Sequence, residues 1–208
     1  MSKLLTRWMS GLSLIVLIVL ALAACGTGAD AASSSNTDLS QDKNAAFSFD
    51  LVPSPGITAC LPKAHGSAQI FKNALNDTLK VHIAGLPAHT DYDLFVLELP
   101  NKPFGVAWYQ SDMETNGNGE GDVSVVGIFN KETFSISTGG PTVTFKATHQ
   151  FHLGLWFNDP KVPFDLGCEP GATSPTVTPF NGEQHAGIQV LNTANFPNGA
   201  GPLSHVSA

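Results

Sequence analysis

The chain is poor in positive charge. Its only arginine is Arg7, and the whole sequence has 10 basic residues against 17 acidic ones. Arginine is the side chain best suited to bidentate binding of phosphate and carboxylate groups, so the sequence offers little for recognising such anions. Nucleic-acid binding needs a positively charged face that neutralises phosphates. The composition therefore excludes nucleic acid as a partner.

Several catalytic motifs are also missing. The sequence has no Gly-x-Ser-x-Gly, no His-Glu-x-x-His and no Cys-x-x-Cys, which are patterns of serine hydrolases, zinc proteases and metal or redox sites. A pair of carboxylates acting on glycosidic bonds remains open, because two acidic residues can meet from anywhere in a fold. No catalytic residue is predicted. The sequence favours a non-enzymatic binding or structural module, with a carbohydrate-active hydrolase as the alternative.

The first 25 residues have the pattern of an export signal. Lys3 and Arg7 precede an apolar run over residues 12–21, which is shorter than the roughly 20 residues that span a bilayer. Residues 22–25 read LAAC. This short sequence resembles the lipobox of bacterial lipoproteins, in which the cysteine receives a lipid. An ordinary signal peptide with a coincidental cysteine, or an uncleaved anchor, is the alternative.

The resemblance implies a domain organisation and a location. Residues 1–24 are then a lipoprotein signal peptide, and Cys25 carries acyl chains such as palmitate on the extracytoplasmic face of the cell membrane. Two or more acyl chains hold a protein durably where one would be marginal. Residues 26–46 contain no aromatic side chain and are predicted to form a flexible tether. Residues 47–208 are long enough for one domain with its own core.

The two remaining cysteines are predicted to pair. Cys60 and Cys168 would lie in an oxidising compartment, where cysteines usually form disulfides. Two free thiols or a metal-binding pair is the alternative. Without the signal peptide, the chain keeps 8 basic and 17 acidic residues, a net charge of −9. Such a domain avoids anionic headgroups, so the lipid is its predicted contact with the membrane.

Short alternating segments separated by Gly, Pro, Asn and Asp predict an all-β protein. We predict an antiparallel β-sandwich, immunoglobulin-like or similar, with eight or nine strands. The predicted strands are Phe47–Val52, Ser67–Lys72, Thr78–Ala84, Tyr92–Leu99, Val106–Tyr109, Gly121–Phe129, Thr133–Ser137, His149–Phe157 and His185–Leu191. The proline-rich stretch from residue 158 to residue 181 is predicted to be a long loop held by Cys168.

Two aromatic segments suggest a ligand site. WYQSD (residues 108–112) and LWFND (residues 155–159) each join tryptophan to a second aromatic residue and to amide or carboxylate groups. Such side chains bind sugars in many β-sandwich modules, so a glycan or a surface protein is the predicted partner. The candidate residues are Trp108, Tyr109, Trp156 and Asn158. The alternative is that both tryptophans belong to the core, as large aromatic residues usually do.

A weak calcium candidate lies in the segment DMETNGNGEGD (residues 112–122). Oxygen-bearing side chains occupy every second position, and Gly117 stands at the sixth, where calcium loops turn sharply. These side chains are Asp112, Glu114, Asn116, Asn118 and Glu120. Val123 stands at the twelfth position, where a bidentate glutamate belongs. The alternative is an Asn-Gly turn between two strands. No other cofactor is predicted.

His149 and His152 are weak zinc candidates, and a zinc site would need a third ligand such as His185 or Glu183. Residues three apart in a regular strand point to opposite faces, so His149 and His152 are not expected to share a metal. The segments FGVAWYQSDMETN, FHLGLWFNDP and FNGEQHAGIQVLNT also look similar to parts of secreted bacterial proteins of uncharacterised activity. That resemblance implies an extracytoplasmic domain and nothing about chemistry.

Overall fold

A computed structural model of the chain describes residues 45–129, 139–141, 151–179 and 185–206. The predicted signal peptide, Cys25 and nearly all of the predicted tether lie outside the described residues. So do the predicted strand Thr133–Ser137 and the first two residues of the strand predicted from His149. In the described ranges, no helix is both long enough and apolar enough to cross a bilayer.

The described residues form ten strands, two short helices and one 3-10 turn. The strands are β1 (Phe47–Pro53), β2 (His65–Phe71), β3 (Asp77–Ala84), β4 (Asp91–Leu97), β5 (Ala107–Glu114), β6 (Gly121–Gly127), β7 (His152–Phe157), β8 (Thr178–Pro179), β9 (His185–Ala186) and β10 (Gln189–Asn192). The helices are α1 (Ile57–Cys60) and α2 (Lys161–Asp165), and the 3-10 turn is Pro202–His205.

Eight strands form one antiparallel sheet in the order β5-β4-β7-β10-β1-β2-β3-β6. The sheet bends at β1, because residues 47–51 pair with β2 whereas Val52 and Pro53 pair with β10. The bend divides it into a first sheet, β1-β2-β3-β6, and a second sheet, β5-β4-β7-β10, which bury one core between them. Strands β8 and β9 form a separate small sheet. The predicted all-β antiparallel sandwich is confirmed.

The core follows from the alternation of side chains along each strand. Leu79, Val81 and Ile83 of β3 point inward and are almost completely buried, as are Leu94 and Val96 of β4. Burying one such aliphatic side chain contributes about 1.5–3 kcal/mol relative to leaving it exposed. Strand β4 is buried on both faces.

The turn between β3 and β4 depends on glycine. Gly85 has a φ of 70°, and a Cβ atom there would overlap the carbonyl oxygen of Lys63. Only glycine adopts this conformation without strain and also allows such a close approach. β3 therefore ends at Ala84, and β4 begins at Asp91.

The prediction of a single strand over His185–Leu191 was wrong. The structure has two strands, β9 and β10, on either side of Gly187 and Ile188. Gly187 donates its N–H to the carbonyl of Phe157 at 2.7 Å and lies close against Pro160. This contact interrupts the strand pairing, so that the chain leaves the small sheet of β8 and β9 before it joins the second sheet as β10. The short helices and β8 were also not predicted, because four- or five-residue helices and two-residue strands have no measurable period.

The Sγ atoms of Cys60 and Cys168 lie at disulfide-bonding distance, as predicted. Cys60 ends α1, and Cys168 follows α2 in the connection between β7 and β10. The bridge therefore joins the beginning of the domain to its long proline-rich loop. The cysteines are 108 residues apart, for which the chain-entropy model gives a stabilisation of up to about 4.7 kcal/mol.

Candidate functional site

The second sheet has a covered outer face in addition to its core face. Along β4, Leu94 and Val96 join the main core, whereas Phe95 and Leu97 point the other way. With Trp156 of β7 these two residues form a second buried cluster. This outer face therefore has its own layer of packing, under the loops that connect the strands.

A bulge in β5 brings two candidate residues to the outer face. Asp93 pairs with Asp112 and Phe95 pairs with Tyr109, so that Gln110 is the extra residue. Residues three apart point to opposite faces of a regular strand, and a bulge changes this relation. Tyr109 and Asp112 therefore both lie on the outer face.

A second bulge, in β10, also brings two polar residues to the outer face. Gln189 pairs with Trp156, Leu191 pairs with Leu155 and Asn192 pairs with Gly154, which makes Val190 the extra residue. Gln189 and Asn192 are also three apart, yet the side chains meet. The Nδ2 atom of Asn192 donates to Oε1 of Gln189 at 2.9 Å. Both bulges thus gather polar side chains on one face of the second sheet.

Around Asp93 the structure assembles four of the residues singled out in the sequence. Asp93 lies opposite Asp112 and opposite Trp156 on the neighbouring strands. The Nδ2 atom of Asn158 donates to its Oδ1 at 2.9 Å. The Tyr109 ring contacts Phe95 edge-on, with the ring centroids 5.7 Å apart. Tyr109, Asp112, Trp156 and Asn158 therefore belong to one region of the outer face.

Asp93 is only 2% exposed, and this burial dominates its titration. Burial raises the pKa of Asp93 to about 6, which the hydrogen bond from Asn158 partly opposes. Asp112, which lies opposite Asp93 on β5, raises the pKa further, and Asp91 adds a smaller repulsion.

The two candidate tryptophans do not share a face. Trp156 is 2% exposed and packs edge-on against Phe95 and Phe104. Trp108 is 39% exposed and pairs with Val96, whose side chain enters the main core. Trp156 therefore supports other aromatic rings from beneath, and no single groove is lined by both tryptophans.

The calcium candidate covers the end of β5, the turn over residues 115–120 and the start of β6. The Oδ1 atom of Asn116 accepts hydrogen bonds from the backbone N–H groups of Asn118 (2.8 Å) and Glu120 (3.2 Å). That oxygen is therefore used within the turn. Among the residues that the structure describes, no group of three or more His, Cys, Asp or Glu side chains could hold a metal ion. The calcium hypothesis gains no support from this geometry.

Both ring nitrogens of His152 have hydrogen-bond partners in the protein. Its Nε2 lies 3.0 Å from the carbonyl oxygen of Asn198, and its Nδ1 lies 2.9 Å from the hydroxyl of Thr193. A carbonyl only accepts, so Nε2 carries the proton and donates. Burial lowers the pKa of His152, although these contacts partly oppose the shift. His152 is thus a buried neutral histidine, and His149 lies outside the described residues.

A cavity of about 610 Å³ lies beside the aromatic cluster. Its polar lining residues are Ser54, Asn101, Lys102, Glu169, Thr176, Thr178 and Gln189, and its other lining residues are Pro55, Phe104, Cys168, Pro170, Ala172 and Ile188. The volume falls within the range of about 300–1,000 Å³ that is usual for small-molecule sites. The disulfide and the loop after α2 form one wall, and β10 forms another.

A buried amide network holds the inner wall of the cavity. Asn192 is completely buried, and its Nδ2 lies within hydrogen-bond distance of Gln189 Oε1 (2.9 Å), Ser54 Oγ (3.2 Å) and Asn101 Oδ1 (3.2 Å). Ser54 in turn donates its hydroxyl to Gln189 Oε1 at 2.9 Å. One residue thus fixes three cavity side chains that come from three separate segments.

Sequence reasoning missed most of the cavity residues. Ser54, Asn101 and Gln189 come from distant positions with no common spacing. One usable signal was polarity, because Gln189 and Asn192 interrupt an otherwise apolar strand. Another was the long loop itself, since long loops in compact domains are usually functional or disordered.

Comparison with known proteins adds no homologue. The chain matches no protein-family model, and neither the curated proteins nor the solved structures give a significant match.

Asp93 makes stability depend on pH in a specific direction. Because its folded-state pKa of about 6 lies above the ordinary value of 3.8, the folded protein binds the proton more tightly. The free energy of unfolding is therefore expected to fall as the pH rises from about 4 to about 6, by up to about 3 kcal/mol. Asp93→Asn should stabilise the protein at pH 7 and flatten this slope, as measured by denaturant unfolding at several pH values.

The exposed carboxylate Asp50 provides the matched control. Asp50→Asn should leave the slope between pH 4 and pH 6 as it is in the wild type. An unchanged slope in the Asp93→Asn protein would show that another group causes the pH dependence.

Proposed function

We propose that this protein is a lipid-anchored binding module of the cell surface, which holds a small ligand in the cavity beside β10. The observation that carries the proposal is the cavity itself. It combines an apolar wall that includes Phe104 with side-chain amides and hydroxyls fixed by Asn192. A mostly apolar pocket with a few oriented polar groups is the usual form of a small-molecule site.

The proposed location is supported by the cysteines and by the leader. A cysteine pair at bonding distance suits an oxidising compartment outside the cytoplasm. The LAAC sequence ending at Cys25 supplies a means of attachment there. The tether between Cys25 and β1 would allow the domain to stand away from the membrane.

Binding is favoured over catalysis by the chemistry of the cavity wall. Among the described lining residues Glu169 is the only carboxylate, and amides and hydroxyls make up most of the other polar side chains. Asp93 is buried and accepts a hydrogen bond from Asn158, and neither Asp93 nor Asp112 is among the described residues that line the cavity. A wall of this kind suits recognition of hydroxyl and amide groups.

The anchor is tested by replacing the proposed lipidation site. Cys25→Ser should lose acyl incorporation and leave the membrane fraction, or accumulate as an unprocessed precursor. The measurement is fractionation combined with mass spectrometry of the N-terminus. Cys25→Ser protein that is still cleaved and membrane-bound would contradict lipid anchoring, and the wild type with labelled palmitate is the control.

The cavity is tested with a mixed panel of small molecules. The panel contains amino acids, short peptides, neutral and anionic sugars, nucleosides and fatty acids, added to isotope-labelled mature protein. At least one class should shift the NMR signals of the backbone amides of Asn101, Phe104 and Gln189, and leave that of Asn118 unchanged. A panel without any member that perturbs the cavity amides would reject the binding function.

A further inference from the structure

Among the residues that the structure describes, the three most exposed large apolar side chains lie at one end of the first sheet. They are Leu75 (91% exposed), Val126 (66%) and Ile128 (56%). Leu75 lies in the connection between β2 and β3, Val126 lies near the end of β6, and Ile128 follows that strand. Because Asp77 of β3 pairs with Gly127 of β6, the connection and the end of β6 are neighbours. We call these three residues the apolar end.

Hydrogen bonds from Asn73 hold the connection that carries Leu75. The backbone N–H of Asn73 donates to Oδ1 of Asp77 at 3.4 Å, and its Nδ2 donates to the hydroxyl of Thr78 at 3.1 Å. These bonds tie the start of the connection to the first residues of β3. Single exposed apolar residues are common on protein surfaces, whereas a group of them at one place indicates an interaction surface.

The chain enters the domain at the same end. Ala46 donates its backbone N–H to the carbonyl of Ile70 at 2.7 Å, and Phe47 pairs with Ile70 in the ladder between β1 and β2. Ile70 is the next-to-last residue of β2, and the connection to β3 follows. Residues 26–46 separate Cys25 from β1. A flexible chain of this length spans about 25 Å on average, so a lipid on Cys25 would keep the apolar end within reach of the bilayer.

The cavity lies at the other end of β1. Ser54 and Pro55, which follow β1, belong to its lining, and so does Cys168, whose partner Cys60 also follows β1. The length of β1 separates the two ends by about 20 Å, at a rise of about 3.3 Å per residue. A domain that rests on the membrane with its apolar end therefore holds its cavity away from the bilayer.

We propose that the apolar end contacts the lipid bilayer, with Leu75 among the acyl chains and with Val126 and Ile128 at the interface. This inference rests on the proposed lipid anchor and does not depend on the ligand of the cavity. The tether allows the domain to stand away from the membrane or to rest on it, and the apolar end favours the second position. Tethering raises the effective concentration of the bilayer to the order of millimolar, so that a weak contact suffices.

The charge of the domain limits the kind of bilayer that fits. Residues 25–208 have 8 basic and 17 acidic side chains, a net charge of −9, so anionic headgroups repel the domain as a whole. The apolar end makes its contact through uncharged side chains, which are stabilised by burial in the acyl region. A bilayer of phosphatidylcholine, whose headgroup has no net charge, therefore suffices as the partner.

The test uses the mature, lipidated protein in phosphatidylcholine vesicles whose acyl chains carry bromine, which quenches tryptophan fluorescence. The emission that Leu75→Trp adds to that of the wild type should fall at least twofold when brominated lipid replaces ordinary lipid. Leu166→Trp is the matched control, because Leu166 is 42% exposed and precedes Cys168 by two residues, at the cavity end. Its added emission should be the same in both lipids.

A second substitution tests whether the native side chains cause the insertion. Ile128→Ser in the Leu75→Trp protein should reduce the quenching at least twofold. Val177→Ser should leave it unchanged, because Val177 is 50% exposed but lies between the cavity residues Thr176 and Thr178. Equal effects of the two serine substitutions, or no effect of either, would assign the insertion to the introduced tryptophan and overturn the contact.

Flotation of each sample with the vesicles separates a failure of the contact from a failure of the anchor. Protein that floats but is not quenched at residue 75 would overturn the contact and leave the anchor standing. Equal quenching at residues 75 and 166 would overturn the assignment of one end to the membrane. Emission at residue 75 that shifts to shorter wavelengths with rising protein density, without quenching, would assign the apolar end to a second copy. Protein that does not float would remove the anchor and the contact together.

Discussion

The cavity depends on one covalent constraint, the bridge between Cys60 and Cys168. The connection from β7 to β10 is long and rich in proline, and within its described residues regular structure is limited to α2 and the short strands β8 and β9. A loop of this length loses much conformational entropy when it becomes ordered. Joining Cys168 to α1 holds the loop against the start of the domain, where it becomes one wall of the cavity.

The opposite wall depends on a local defect in the second sheet. In a regular strand Gln189 and Asn192 would face opposite ways, and the bulge at Val190 puts both on the outer face. Asn192 then ties Gln189, Ser54 and Asn101 together. The bulge at Gln110 brings Tyr109 and Asp112 together in the same way. Two extra residues thus place these polar side chains together on the outer face of the second sheet.

The parts that the sequence predicted are those governed by short-range periodicity. The alternation of Leu79, Val81 and Ile83 predicts an inward face, and β3 has it. The cysteine pair followed from counting cysteines. The site was predicted only in part. Regular alternation places residues three apart on opposite faces of a strand, whereas a bulge brings them to the same face. Trp156 was a candidate ligand residue, but it is buried behind Phe104, in agreement with the alternative that it belongs to a core.

The most direct test of this account is hydrogen exchange in the oxidised and the reduced protein. The backbone N–H groups of Cys168, Ala172 and Thr176 are hydrogen-bonded within the loop, and those of β7 are bonded within the sheet. Reduction of the bridge should accelerate exchange strongly in the loop and leave β7 protected. Equal protection of the loop in both states would contradict the claim that the disulfide holds the cavity wall.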